Sequence, residues 1–174
     1  IIGEGPIIQS QKLSGKVEKM YLVPQVAASN EAIQAIQNAD MIIIGPGTLY
    51  TSIIASLLPI GIKETISKSN AKKIFIANAA NFPRGHCDWY SLDTYLQELS
   101  RLTGVWNFTA ILAHNGSDIP SEEQILVNEF NNITCMNCLD TPDKMMGWKF
   151  DSIKRNTLRH DGKKVAQWIK KIFD

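Results

Sequence analysis

Ala39-Asp40-Met41-Ile42-Ile43-Ile44-Gly45-Pro46-Gly47-Thr48-Leu49-Tyr50-Thr51-Ser52 is the stretch whose reading decides the fold. Met41 to Ile44 is an unbroken apolar run, and a strand that does not alternate is buried on both faces, as in a parallel sheet. Gly45-Pro46-Gly47 ends that strand, and hydroxyl residues open the helix that follows. Glycine lets a backbone approach a ligand closely. A helix N-terminus offers N–H groups without helical partners and the positive end of a dipole, which suits phosphate. Thr48, Thr51 and Ser52 add hydroxyl donors. No Lys follows the glycines, so this is not the Lys-bearing nucleotide loop. The plain alternative is a tight strand–helix turn with a Thr or Ser cap. Its place after a central strand favours a ligand, because ligands collect at the carboxyl ends of such strands.

Two further apolar runs read as strands of the same kind, Ile74-Phe75-Ile76-Ala77 and Ala110-Ile111-Leu112-Ala113. Residues 17–23 read as another strand, ended by Pro24. Helical patterns lie between them. Ser29 or Asn30 caps a helix that runs to Ala39, and two short helices at 51–58 and 62–69 are split by Pro59 and Gly61. Ser91 caps a helix whose stripe is Leu92, Tyr95, Leu96, Leu99 and Leu102, with Gly104 at its end. Asp161 caps the last helix. This alternation implies right-handed crossovers and an α/β, doubly wound, mainly parallel sheet. The stretch 115–158 reads as irregular, with a helix near 122–130. The opening Ile1-Ile2-Gly3-Glu4-Gly5-Pro6 reads as a strand and a turn. A doubly wound fold places a glycine-rich phosphate loop after its first strand, and none is present here. Either the phosphate site lies elsewhere or the chain lacks its N-terminal half, in which case apolar surface is left exposed.

The ends of the other two strands fall on the same sheet edge as the 45–52 turn. There Asn78 and Asn81 are placed to hydrogen-bond a base or sugar, Arg84 to meet a phosphate, and His114 closes the third strand. Each is also an ordinary loop residue, and their convergence counts for more than any one of them. Asp88 and Asp93 are the local carboxylates that a metal or a general base requires. His86 and Cys87 with Cys135 and Cys138 can be assembled into a four-ligand zinc set, but a single C-x-x-C does not establish one, and no metal site is assigned. No nucleophile elbow, catalytic triad or H-E-x-x-H is present, so the catalytic residues are unknown. Arg159-His160-Asp161 precedes the last helix, where Arg159 is placed to reach a diphosphate.

Composition bounds the partners. The 174 residues fit one domain, and 44% hydrophobic with 20% charged residues is ordinary for a globular protein. Lys and Arg number 18 against 17 Asp and Glu, so a net charge of +1 gives no general case for nucleic acid or a membrane. The stretch 144–171 holds half of the cations against only Asp151 and Asp161, and reads mostly as a solvated face. No run approaches the ~20 apolar residues that span a bilayer. Three cysteines make no disulfide framework and suit a reducing cytosol.

The stretch from Ala39 through Ile53 resembles the signature of the bacterial gluconeogenesis factor family, which is related to 2-phospho-L-lactate transferase. Gly3-Glu4, Ala71-Lys72-Lys73 before the strand ending at Asn78, and Arg159-His160-Asp161 with Lys163-Lys164-Val165-Ala166 fit the same pattern. The resemblance implies a Rossmann-like fold, with residues 1–174 as the C-terminal portion of a single nucleotide-sugar-binding domain. Carried over by position, Gly45, Pro46, Gly47, Thr48, Tyr50, Thr51, Ser52 and Asn78 line the phosphates and Arg159 helps hold the nucleotide part, with Asn81 added from its place at the strand end. The regulatory branch implies UDP-N-acetylglucosamine and a cytoplasmic role in carbon metabolism and cell shape. The transferase branch implies magnesium and transfer of a phospholactyl group from a guanosine carrier to a deazaflavin. The first reading needs no cofactor; magnesium belongs to the second. The partner in either case is a nucleotide sugar or nucleoside diphosphate, and a homo-oligomer is compatible with both. Two features depart from the family pattern. The early glycine-rich loop and Asp residues have no counterpart, and the usual Gly-Glu pair after Pro83 is Arg84-Gly85.

Overall fold

The structure is a computed structural model that describes residues 2–9, 17–79, 92–114, 133–136, 148–150, 153–155 and 160–173. Its centre is a four-stranded sheet of β1 (Met41–Ile44), β2 (Lys72–Ile76), β3 (Ala110–His114) and β4 (Ile133–Met136), side by side in chain order. All three pairings are parallel, with Ile43 opposite Ile74, Ile74 opposite Ala110, and Ile111 opposite Ile133. The three strands expected from their apolar runs are therefore neighbours, but β1, read as a central strand buried on both faces, is the outer strand of the described sheet, with Ile43 46% exposed. β4 lies in the stretch read as irregular, as does a small antiparallel pair, β5 (Trp148–Phe150) with β6 (Ile153–Arg155).

Strand residues alternate between faces, and both faces here are apolar. On one, Ile44, Phe75, Ala77, Ile111 and Ala113 join a core with Leu49, Ile53, Ile54, Leu92, Leu96 and Leu99. The Phe75 ring sits 5.6 Å from that of Tyr95 and 5.5 Å from that of Phe108. On the other face, Ile74, Ile76 and Leu112 pack against Val165, Trp168, Ile169 and Ile172. Burying each such aliphatic or aromatic side chain contributes about 1.5–3 kcal/mol. Helices thus cover both faces of a parallel sheet, which is the Rossmann-like architecture.

The helices follow their expected signals. α1 is Glu4–Gln9, and α2 is Asn30–Gln37, whose N-cap Ser29 accepts a hydrogen bond from the Ala32 N–H at 3.2 Å. A π-helical segment, Leu49–Ile54, runs directly into α3 (Ala55–Leu57), followed by α4 (Ile62–Lys68) and α5 (Leu92–Thr103). α6 (Gly162–Phe173) is capped by Asp161, whose Oδ1 accepts from the Lys163 N–H at 2.8 Å. At its far end the Lys72 ammonium donates to the Phe173 carbonyl at 2.8 Å, placing a cation at the negative end of the dipole.

Two expectations are corrected. The opening residues, read as a strand and a turn, form α1. Residues 17–23 form no ladder: the Val17 and Glu18 carbonyls accept from the Arg101 guanidinium instead, and Tyr21 and Val23 are exposed. Backbone contacts come later, where the Ala28 N–H donates to the Ile60 carbonyl and the Ile60 N–H to the Val26 carbonyl, both at 2.9 Å. The helix expected near 122–130 lies outside the described residues.

Candidate functional site

The carboxyl ends of β1, β2 and β3 bring Gly45, Asn78 and His114 to one edge of the sheet. Gly45 has φ 92°, and a Cβ built there would lie 2.3 Å from the Ile76 carbonyl oxygen. Only glycine lets β1 leave the sheet so close to β2. The peptide bond to Pro46 is cis.

The Gly47 peptide is held from two sides. Its N–H donates to Asn78 Oδ1 at 2.9 Å, and its carbonyl accepts from the Tyr95 hydroxyl at 2.9 Å. Beyond it, Thr48 Oγ1 lies 2.6 Å from Thr51 Oγ1 and 2.9 Å from Ser52 Oγ, so three exposed hydroxyls form one cluster. The Ser52 and Ile53 N–H groups both donate to the Thr48 carbonyl, at 3.1 and 3.0 Å, which widens this first turn into a π-turn. Such turns recur at functional sites. Thr48 makes no side-chain cap to the helix backbone, because its hydroxyl is engaged with Thr51 and Ser52.

The residues expected to line a ligand fall into three groups. Gly45, Pro46, Gly47, Thr48, Thr51, Ser52 and Asn78 are together at this edge. Tyr50 turns the other way, 2% exposed, with its hydroxyl donating to Glu98 Oε1 at 3.2 Å. The amphipathic first turn explains this: Leu49, Tyr50, Ile53 and Ile54 face the core while Thr48, Thr51 and Ser52 face out. Asn81 and Arg159 lie outside the described residues, as do Arg84, His86, Cys87, Asp88 and Cys138. Gly47 is also tightly packed. A Cβ there would come within 3.0 Å of the Ser52 Cβ and 3.2 Å of the Ile53 Cδ1, so the missing side chain makes room for the helix start. Asp93 accepts from Gln97 Nε2 at 2.8 Å on the exposed surface of α5. Among the described residues, no three His, Cys, Asp or Glu side chains are grouped to hold a metal, and no helix is long and apolar enough to cross a membrane.

Tyr95 and Glu98 are the residues that the sequence reading did not assign to the site. Tyr95 stood in an apolar stripe, where its hydroxyl was the signal, since a buried phenol finds a partner. Glu98, 7% exposed, was signalled by its position one turn after Tyr95 on the same inward helix face.

His160 joins the same edge from the far end of the chain. Its Nε2 lies 2.9 Å from the Ala77 carbonyl, and because a carbonyl only accepts, Nε2 carries the hydrogen. Burial holds the imidazole below its ordinary pKa of 6.5, and the bond to Ala77 opposes that shift in part. The unfolded chain therefore takes up the proton first as pH falls. Stability is full above about 6.5 and declines as pH drops from there through the lowered folded value. Thermal melts between pH ~8 and ~5 are expected to show the wild type losing more stability on acidification than His160→Gln. Equal losses in the two proteins would remove His160 as the cause.

A parallel α/β sheet with helices on both faces, and with hydroxyls and an amide gathered at its carboxyl edge, defines a Rossmann-like protein. Residues 1–150 match the family of 2-phospho-L-lactate transferase CofD, and the chain belongs to that family. It is similar to the gluconeogenesis factor of Bacillus subtilis, 34% identical over 164 residues that cover 88% of this chain and 50% of that protein. The gluconeogenesis factor of Halalkalibacterium halodurans is 36% identical over 115 residues, 66% of this chain and 34% of that protein. Among solved structures, a Bacillus halodurans protein of the UPF0052 family superposes with a TM-score of 0.77 at 28% identity, covering 97% of this chain and 54% of that one. The chain spans about half the length of the Bacillus subtilis relative (50%) and of that solved protein (54%), and about a third of the Halalkalibacterium relative (34%).

Proposed function

We propose that the 45–52 turn seats the diphosphate of a nucleotide sugar of the UDP-N-acetylglucosamine type, and that the protein is a cytosolic ligand-binding regulator of carbon metabolism and cell shape. The observation that carries this reading is the hydroxyl cluster of Thr48, Thr51 and Ser52 at a helix start, on a turn held by Asn78 and Tyr95. Hydroxyls and helix N–H groups suit a phosphate without a nearby lysine. The resemblance to gluconeogenesis factors supports the regulatory role, and it supplies the sugar.

A second reading, a magnesium-dependent transferase acting on a nucleoside diphosphate carrier, is favoured by the family description. Magnesium takes carboxylates and phosphates as ligands. The described carboxylates do not fit it at this turn: Asp93 is engaged by Gln97, and the buried Glu98 is paired with the exposed Arg101. A titration of the protein with UDP-N-acetylglucosamine, UDP and GDP, with and without magnesium, separates the readings. The regulator reading expects the UDP sugar to bind equally with chelator present. At 100 times its dissociation constant such a ligand raises stability by about 2.7 kcal/mol in a thermal-shift assay. Binding only of GDP, and only with magnesium, would favour the transferase. No binding by any of the three would end both readings of the turn.

A further inference from the structure

Resting on that reading, we propose that Tyr95 and Glu98, one turn apart on α5, are positioning residues that set the hydroxyl cluster for its ligand. Tyr95 donates to the Gly47 carbonyl at 2.9 Å, and Glu98 accepts from the Tyr50 hydroxyl at 3.2 Å. These two contacts bracket Thr48 and reach the 45–52 segment from its inner side, while its three hydroxyls face outward. Tyr95 acts on the backbone of the turn, and Glu98 acts on it through the Tyr50 side chain.

The choice of a carboxylate at position 98 needs explaining. A buried charge is costly unless paired, and Glu98 is paired: Arg101 donates to it through Nε at 2.7 Å and Nη2 at 2.5 Å. Arg101 also donates to the Val17 and Glu18 carbonyls, which fixes the pair to a third segment. Arg101 is 40% exposed, so the partly solvated pair is weak evidence for a stabilising role. What it supplies is a fixed acceptor for Tyr50, at a depth set by α5. A binding turn works when its groups are held close to the productive geometry by a second layer of side chains.

The test has two arms. In the ligand-free protein, hydrogen exchange of peptides covering 45–54 is compared with a control peptide covering 110–114. Tyr95→Phe and Glu98→Leu are expected to speed exchange at 45–54 by about fivefold or more without changing the control. Glu98→Gln keeps an acceptor for Tyr50 and is expected to exchange like the wild type. In the second arm, Tyr95→Phe weakens UDP-N-acetylglucosamine binding by about tenfold while Glu98→Gln binds nearly as the wild type. Unchanged exchange at 45–54, or equal acceleration in the control, overturns the proposal. So does faster exchange with undiminished affinity, which would make α5 a structural support only. A wild type that binds no nucleotide defeats the functional reading instead, and the exchange arm then decides alone whether α5 sets the turn.

Discussion

Gly45→Ala is expected to lower the melting temperature by about 10 °C, the loss that ~3 kcal/mol produces in a chain of this size. Two costs add. The backbone at Gly45 has φ 92°, in the region that an L side chain enters at roughly 1–2 kcal/mol. The new Cβ would also stand 2.3 Å from the Ile76 carbonyl oxygen, well inside contact distance. That oxygen belongs to the backbone of the second strand in a four-stranded sheet, so it cannot swing aside as a side chain would. Relief requires the end of β1 to move away from β2, at the typical overpacking cost of about 1–3 kcal/mol. Gly104→Ala is the matched control. It has φ 73° at the end of α5, but nothing lies within 4 Å of its Cβ, so it carries the conformational cost alone. Circular dichroism melts of the two variants separate sterics from conformation. If Gly45→Ala melts no lower than Gly104→Ala, the close approach of the turn to β2 is wrong.

The parallel sheet was legible because its signal is compositional. The unbroken run Ile74 to Ala77 states burial on both faces, and the structure supplies a core for each face, whereas the run Met41 to Ile44 forms an outer strand that leaves Ile43 exposed. Caps were legible for a similar reason, since Ser29 and Asp161 act over three residues or fewer. Failure came where the deciding partner is distant in sequence. Residues 17–23 carry strand-like apolar residues, but what holds Val17 and Glu18 is an arginine more than 80 positions away. Tyr50 was read with its hydroxyl neighbours as a ligand residue, yet only the helical phase of Leu49–Ile54 decides that it faces inward to Glu98. Asn78 stands at the edge expected for it and holds the Gly47 N–H there. A strand-end asparagine serves a ligand or a turn, and nothing local distinguishes them. Gly47 shows the same limit: glycine signals a close approach without naming what approaches, and its close packing against Ser52 and Ile53 was not legible.

The position of Asn78 also offers the most discriminating substitution for the proposed ligand. Asn78→Asp is nearly isosteric, and a carboxylate oxygen still accepts from the Gly47 N–H, with a stronger, charge-assisted bond. The turn and the melting temperature are therefore expected to hold. What changes is charge at the edge where the diphosphate is proposed to sit. Two unit charges ~6 Å apart repel by roughly 0.7–2.8 kcal/mol at effective dielectric constants between about 80 and 20. A diphosphate carries more than one charge, so the affinity for UDP-N-acetylglucosamine is expected to fall by about tenfold or more. The loss should shrink as salt is raised, because a screened repulsion weakens within a Debye length of about 10 Å at 0.1 M. Calorimetric titration at low and high ionic strength, on wild type and variant, measures both effects. A variant that stays folded and binds the UDP sugar as tightly as wild type at low salt would place the diphosphate away from Asn78. The 45–52 turn would then be a structural link between β1 and its helix, and the hydroxyls of Thr48, Thr51 and Ser52 would be an exposed helix start with no ligand to hold.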